Sequence, residues 1–288
     1  MSSVYLVMDM EAVSGISNGS MIRVGHPEWA GRGRHLATAE VNAAVDGALA
    51  GGARRIWVMD GHDAGENLVR EALHPAAELI AGAPAISPHM PGLDASFRAV
   101  FLVGFHARMG TRLAHFDHTV STATVSEVRL NGTPVGEIGI YAAYAGVFGV
   151  PVTLVTGDVA ATREATQLLG RIETVAVKQG YGRFAARVAP PDRIHPQIRA
   201  AAERAMRGRG RPWRLRRPLR AEVEFLRSAD ADLAEMVPGA RRVDARTVAF
   251  AHRSAETVFK ALRAMITLGG VAANRWATAL YTTGARVT

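Results

Sequence analysis

Three short apolar runs constrain this chain most, because each one ends directly in acids or histidines. Residues 4–8 (VYLVM), 56–59 (IWVM) and 99–103 (AVFLV) are rich in strand-forming side chains and too short for helices, so they read as buried strands. Between the first two, Leu36, Val41, Ala44, Val45, Ala48 and Leu49 fall at helical spacing within residues 35–50. That helix stops at Gly51-Gly52, as helices often do. Strand, helix, strand in succession implies a parallel crossover, since antiparallel neighbours need only a tight turn.

Residues 152–155 followed by a helix over 160–169 continue the alternation. The expected fold is α/β: a three-layer, Rossmann-like, mostly parallel sheet. One segment breaks the rhythm. Residues 124–130 lead into Asn131-Gly132, a strong tight-turn signal, and residues 135–140 follow, which predicts a hairpin. Residues 221–225 and 247–251 as strands and 255–268 as an amphipathic helix predict a smaller α+β portion. The expected domains are 1–194 and 195–288.

Ligands of open α/β sheets gather beyond the carboxyl ends of the strands. There the first run meets Asp9-Met10-Glu11, the second Asp60-Gly61-His62-Asp63 and the third Gly104-Phe105-His106. Asp9 and Glu11 lie two apart, so in extended backbone both carboxylates face one side, where they repel unless a cation lies between them. With the nitrogens of His62 and His106 they form a donor set suited to zinc, and also to manganese or cobalt. Glu137 is a fifth candidate, flanked by Gly136 and Gly139, which let the backbone approach closely. Five ligands exceed one closed tetrahedral site and fit two ions sharing a carboxylate with an activated water between them. Asp60 reads as a residue that orients His62 or caps a turn.

Composition removes other chemistries. The chain has no cysteine, which excludes disulfides, zinc fingers and thiol catalysis. No run of about 18 apolar residues predicts a membrane span, and the acids in MSSVYLVMDMEAV do not suit a signal peptide, so a cytoplasmic protein is expected. The net charge of +8 is concentrated between Arg207 and Arg220, where seven of fourteen positions are arginine. Gly208, Gly210, Pro212 and Pro218 interrupt that stretch and Trp213 is its one aromatic, so it reads as a solvated connector and not as a nucleic-acid surface.

The order Val-Met-Asp-Met-Glu, Met-Asp-Gly-His, Gly-Phe-His-Ala-Arg, His-Thr-Val-Ser and Asn-Gly-Thr-Pro-Val-Gly-Glu resembles the D-aminopeptidase family of dinuclear zinc metallopeptidases, from about residue 4 to about residue 270. The resemblance implies two zinc ions per subunit. Asp9 would bridge, with Glu11 and His62 on one ion and His106 and Glu137 on the other. It further implies a two-domain subunit in a ring-like homodecamer, and short peptides with an N-terminal D-residue as substrates. It also implies a functional histidine between the last two ligands, for which His118 has the matching context and His115 the wrong offset. His118 has three available roles: proton transfer to the leaving amine, polarisation of the carbonyl, or direct attack; the first two are favoured because metal-activated water already supplies a nucleophile. Ala12 and Phe105 stand where relatives usually carry Gly and often Tyr.

Three rival readings carry their own expectations. Gly15-Ile16-Ser17-Asn18-Gly19 matches the nucleophile elbow of serine hydrolases, which requires a strand, a sharp turn and a helix. A metal-holding transport accessory protein would need the five ligands but not His118. A nucleic-acid binder would show salt-dependent binding that survives metal removal.

Overall fold

The computed structural model describes residues 2–82 and 89–282, with the side chains of 273–282 excepted. In chain order the regular elements are β1 (Ser3–Met8), α1 (Arg34–Ala50), β2 (Arg55–Asp60), β3 (Ala77–Ile80), β4 (Ala99–Phe105), β5 (Val125–Leu130), β6 (Thr133–Val135), α2 (Glu137–Val147), β7 (Val152–Asp158), α3 (Val159–Leu169), β8 (Glu173–Gly182), β9 (Ala185–Val188), α4 (Pro191–Arg207), β10 (Leu219–Phe225), α5 (Ser228–Ala234), β11 (Arg241–Arg242), β12 (Thr247–His252) and α6 (Ala255–Thr282).

The chain divides into two compact units, residues 1–117 with 137–214, and residues 118–136 with 215–288, of which 283–288 lie outside the described residues. This differs from the expected split at 194/195. The hairpin β5–β6 belongs to the second unit because β5 pairs antiparallel with β10, a partner about ninety residues away that no local pattern announces. All seven arginines of the Arg-rich stretch are exposed, as expected of a solvated connector, while over its first half its backbone packs on the first unit. Arg98 donates to the carbonyls of Met206 and Gly208, and the Trp213 carbonyl lies so close to Gly146 that a side chain there would overlap it.

The first unit is built on a seven-stranded sheet in the order β3-β2-β1-β4-β7-β8-β9, parallel except for β9. β1 is buried along its whole length. Its alternate residues Val4, Leu6 and Met8 face a core shared with α1 and α4, while Tyr5 meets Phe97 and Trp57 edge-on at ring separations of 5.4 and 6.3 Å. Burying each such aliphatic side chain contributes about 1.5–3 kcal/mol, which explains why these runs form central strands. From β1 the chain moves outward through β2 to β3, then returns to β4 on the other side of β1. The switch point of the sheet therefore lies between β1 and β4, where open α/β sheets gather their ligands.

The second unit pairs its strands antiparallel in the order β11-β12-β10-β5-β6 and packs α5 and α6 against them. Among the described residues no helix is long and apolar enough to cross a membrane.

Candidate metal centre

Strand register assembles the centre. Met8 pairs with Asp60 on one side and with Val103 on the other, so β1 and β2 end level and β4 runs two residues further, to Phe105. The ladder runs on past the strand ends: Asp9 donates to the Val103 carbonyl, Gly61 to the Met8 carbonyl and Ala12 to the Gly104 carbonyl, at 2.8–2.9 Å. Asp9, Glu11, His62 and His106 are thereby carried to one edge of the sheet. Gly104 makes the close approach possible; its φ of +79° suits glycine, and a Cβ there would overlap the Asp9 carbonyl.

Glu137 arrives differently from the sequence expectation. Residues 135–140 are not a second hairpin strand, because β6 ends at Val135 and Glu137 opens the helix α2. The segment Ile138–Gly146 is buried throughout, so an apolar run bounded by a turn satisfied the strand pattern while tertiary burial selected a helix. A carboxylate in the first turn of a helix is also favoured by the backbone N–H groups there.

The side chains form two pairs on either side of Asp9. His62 Nδ1 lies 3.2 Å from Asp9 Oδ1 and 3.1 Å from Glu11 Oε2. His106 Nε2 lies 3.3 Å from Asp9 Oδ2 and 3.2 Å from Glu137 Oε1. Each Asp9 oxygen thus faces a different histidine. Ligand atoms about 2.0–2.1 Å from a tetrahedral zinc are about 3.3 Å from one another, and these separations match that edge length.

The far nitrogens of both rings fix the tautomers. His62 Nε2 lies 3.0 Å from the Ile22 carbonyl, and His106 Nδ1 lies 2.9 Å from the Ala107 carbonyl. A carbonyl only accepts, so these nitrogens carry the hydrogens, and in the neutral rings Nδ1 of His62 and Nε2 of His106 present lone pairs to carboxylates. Lone pairs facing anions require a proton or a cation between them.

The electrostatics state the same requirement. Burial, followed by the charge of Glu11, pushes the Asp9 carboxyl up to about 7. Burial alone would depress His106, but Glu137 and Asp9 outweigh it and hold the ring up at about 10. Burial likewise opposes protonation of His62, and Glu11 and Asp9 still raise it well above the usual imidazole range. Acids and bases raised together mark a pocket short of positive charge, and the donor set, with Asp9, Glu11 and His106 all buried, fits divalent metal.

Asp60 does not touch the His62 ring. Its carboxylate accepts from the backbone N–H groups of Asn67 and Leu68 and from the Asn67 amide, which in turn donates to the His62 carbonyl at 2.6 Å. Asp60 shapes the loop that carries His62. His115 is fully buried in the first unit, its backbone N–H donating to Asp158, and burial followed by Lys178 depresses its ring to about 4. His118 is the first residue of the second unit and is partly exposed. Ser17 is exposed and lies in a loop followed by one short 3-10 turn, Gly19–Met21, so the strand–turn–helix context of a nucleophile elbow is missing.

Sequence reasoning passed over two buried charges beside these loops. Lys178 on β8 donates to the carbonyls of Glu11 (3.0 Å) and Ile16 (2.6 Å). Glu40 on α1 accepts from the Ser14 N–H (2.7 Å) and the Thr156 hydroxyl (3.0 Å). Both left signals in the sequence. Lys178 is one of two lysines among 34 basic residues, and Glu40 falls on the apolar stripe of α1 between Ala37, Val41 and Ala44.

Comparison with known proteins gives a consistent result. A D-aminopeptidase from Bacillus subtilis (strain 168) is 32% identical over 270 residues, covering 92% of this chain and 95% of that protein. The solved structure of the Zn-dependent D-aminopeptidase DppA from Bacillus subtilis, described as a self-compartmentalizing protease, superimposes with a TM-score of 0.89 at 30% identity, over 93% of this chain and 98% of that one. The sequence model of peptidase family M55, D-aminopeptidase, matches residues 2–264, and the chain therefore belongs to the D-aminopeptidase family.

Proposed function

We propose that this protein is a zinc-dependent aminopeptidase that hydrolyses short peptides or amides with an N-terminal D-amino acid, using two ions held by Asp9, Glu11, His62, His106 and Glu137. The observation that carries this reading is the division of the ligands about Asp9, whose two oxygens face two separate histidine–carboxylate pairs. Charge supports it: three carboxylates and two neutral imidazoles sum to −3, which one divalent ion leaves unbalanced. Two ions, when bound, supply Lewis acidity that polarises the scissile carbonyl and acidifies water.

The residues of the chain then have distinct tasks. Asp9 holds the two ligand pairs at a fixed separation. The carbonyls of Ile22 and Ala107 keep the imidazoles in the ligating tautomer. His118 moves a proton to the leaving amine or stabilises the oxyanion, a role supported by its place in the His-Thr-Val-Ser string of the family resemblance. The reading extends to a homo-oligomer, a homodecamer in its finest form, supported by the self-compartmentalizing relative. It also extends to a cytoplasmic setting, where a cysteine-free chain needs no oxidising environment.

The test is hydrolysis of D-Ala and L-Ala p-nitroanilides by chelator-stripped and zinc-reloaded protein, with metal counted per chain. Expected is D-selective activity that vanishes on stripping and returns as about two ions bind. Two bound ions without cleavage of either anilide would refute the aminopeptidase reading and leave the metal centre standing.

A further inference from the structure

Beneath the ligand-bearing loops, the first unit buries a lysine and a glutamate that no step of the proposed reaction uses. Lys178 is 3% exposed and Glu40 fully buried. Charges in such places are costly unless each is satisfied by several partners. Here the partners are backbone groups of the loops that carry the ligands. Lys178 ties together the carbonyls of Glu11 and Ile16, the two ends of the turn that follows β1. One oxygen of Glu40 holds the Ser14 N–H in the middle of that turn. Its other oxygen accepts from the Thr156 hydroxyl, and that hydroxyl oxygen accepts from the N–H of Gly104 at 2.8 Å, two residues before His106. Asp158, at the end of β7, adds a third charge and caps α3 through the Ala161 N–H.

We propose that Lys178 and Glu40 are positioning residues of the metal centre, a buried ion-dipole brace that fixes Glu11 directly and His106 through Thr156 and Gly104. The proposal rests on the dinuclear reading given above. Lysine suits the place because a point charge with three donors reaches two carbonyls from a buried position, whereas the guanidinium of arginine, the chain's usual cation, is planar and larger. Lys178 bears on one pair of ligands only, through Glu11. Glu40 bears on both, since its two oxygens reach both loops.

The experiment compares Lys178→Met and Glu40→Gln with the wild-type holoenzyme, measuring zinc affinity by chelator competition and the visible absorption of the cobalt-substituted protein. Lys178→Met is expected to weaken one of the two ions about ten- to hundredfold and to shift the cobalt spectrum, leaving the other ion less affected; Glu40→Gln weakens both. Ile198→Ala, a core truncation on α4, lowers the melting temperature but leaves affinity and spectrum unchanged. Wild-type affinity at both ions with an unchanged cobalt spectrum in Lys178→Met overturns the proposal, whatever happens to its melting temperature. If Lys178→Met does not fold, Glu40→Gln, which keeps the shape and removes the charge, decides by the same criteria. Wild-type protein that binds fewer than two ions overturns the dinuclear reading itself, and is detected before any variant is made.

Discussion

Replacing Glu40 by glutamine changes how the metal-free protein responds to pH, by an amount that follows from the burial of one carboxyl. Glu40 has no exposed surface, and burial pushes its carboxyl from 4.5 up to about 7 against the opposing pull of the Ser14 and Thr156 hydrogen bonds and of Lys178. A folded-state pKa above the unfolded value means that the native state binds the proton more tightly. The group therefore contributes stability that is present in full below pH 4.5 and is lost as pH rises through about 7. Between pH 5 and pH 8 that loss is about 2.5 kcal/mol, the bulk of the full 2.5-unit shift at about 1.4 kcal/mol per unit. Urea melts of metal-free wild type and Glu40→Gln at both pH values measure it, because titrating groups that Glu40 does not interact with cancel in the difference, while Lys178, which the Glu40 charge helps to keep protonated, changes the difference in the same direction. The wild type should lose about 2.5 kcal/mol relative to the variant on going from pH 5 to pH 8. Parallel stability curves, agreeing within about 0.5 kcal/mol across the range, would refute the reasoning and mean that Glu40 titrates as an ordinary carboxyl.

The metal centre yields further expectations. Because both ligand pairs share Asp9, Asp9→Asn should retain less than one zinc per chain, whereas Glu137→Gln, which touches the His106 pair alone, should keep one; equal losses in elemental analysis would contradict the bridge. In the metal-free site Asp9, His62 and His106 as a cluster bind protons more tightly than free side chains do, so zinc must displace protons and its affinity falls with falling pH. Calorimetry in buffers of differing ionisation enthalpy should register proton release on zinc binding at pH 7, and none at all would exclude these ligands. His118→Ala should lower kcat about 10²- to 10⁴-fold with zinc content unchanged, and a variant keeping most of its turnover would remove His118 from the mechanism. Gly104→Ala should destabilise the protein by about 3 kcal/mol or more, since a positive φ and overlap with the Asp9 carbonyl act together; a melting temperature like that of wild type would show that the loop yields freely.

The sequence determined the parts of this protein that depend on local pattern. Strands such as 4–8 and 99–103 were readable because they are buried on both faces and must be continuously apolar, and the helix over 35–50 because its apolar spacing is regular. Four candidate ligands were readable only jointly, because acids and histidines follow three separate buried strands; a single acid at a strand end also serves as a cap, as Asp60 and Asp158 do. Only the tertiary structure decided the rest. The helix that begins at Glu137 is apolar on every side, so it carries no periodic signal, and burial alone distinguishes it from a strand. The pairing of β5 with β10, which moves the hairpin into the second unit, depends on contact between distant segments. The two-sided arrangement about Asp9 is fixed by register, since pairing Met8 with Asp60 and Val103 brings three loops to one edge of the sheet. Lys178 and Glu40 stood in the sequence as an uncommon lysine and a misplaced acid, but their partners are backbone carbonyls and amides, groups that every residue carries and that acquire identity only when the chain is folded.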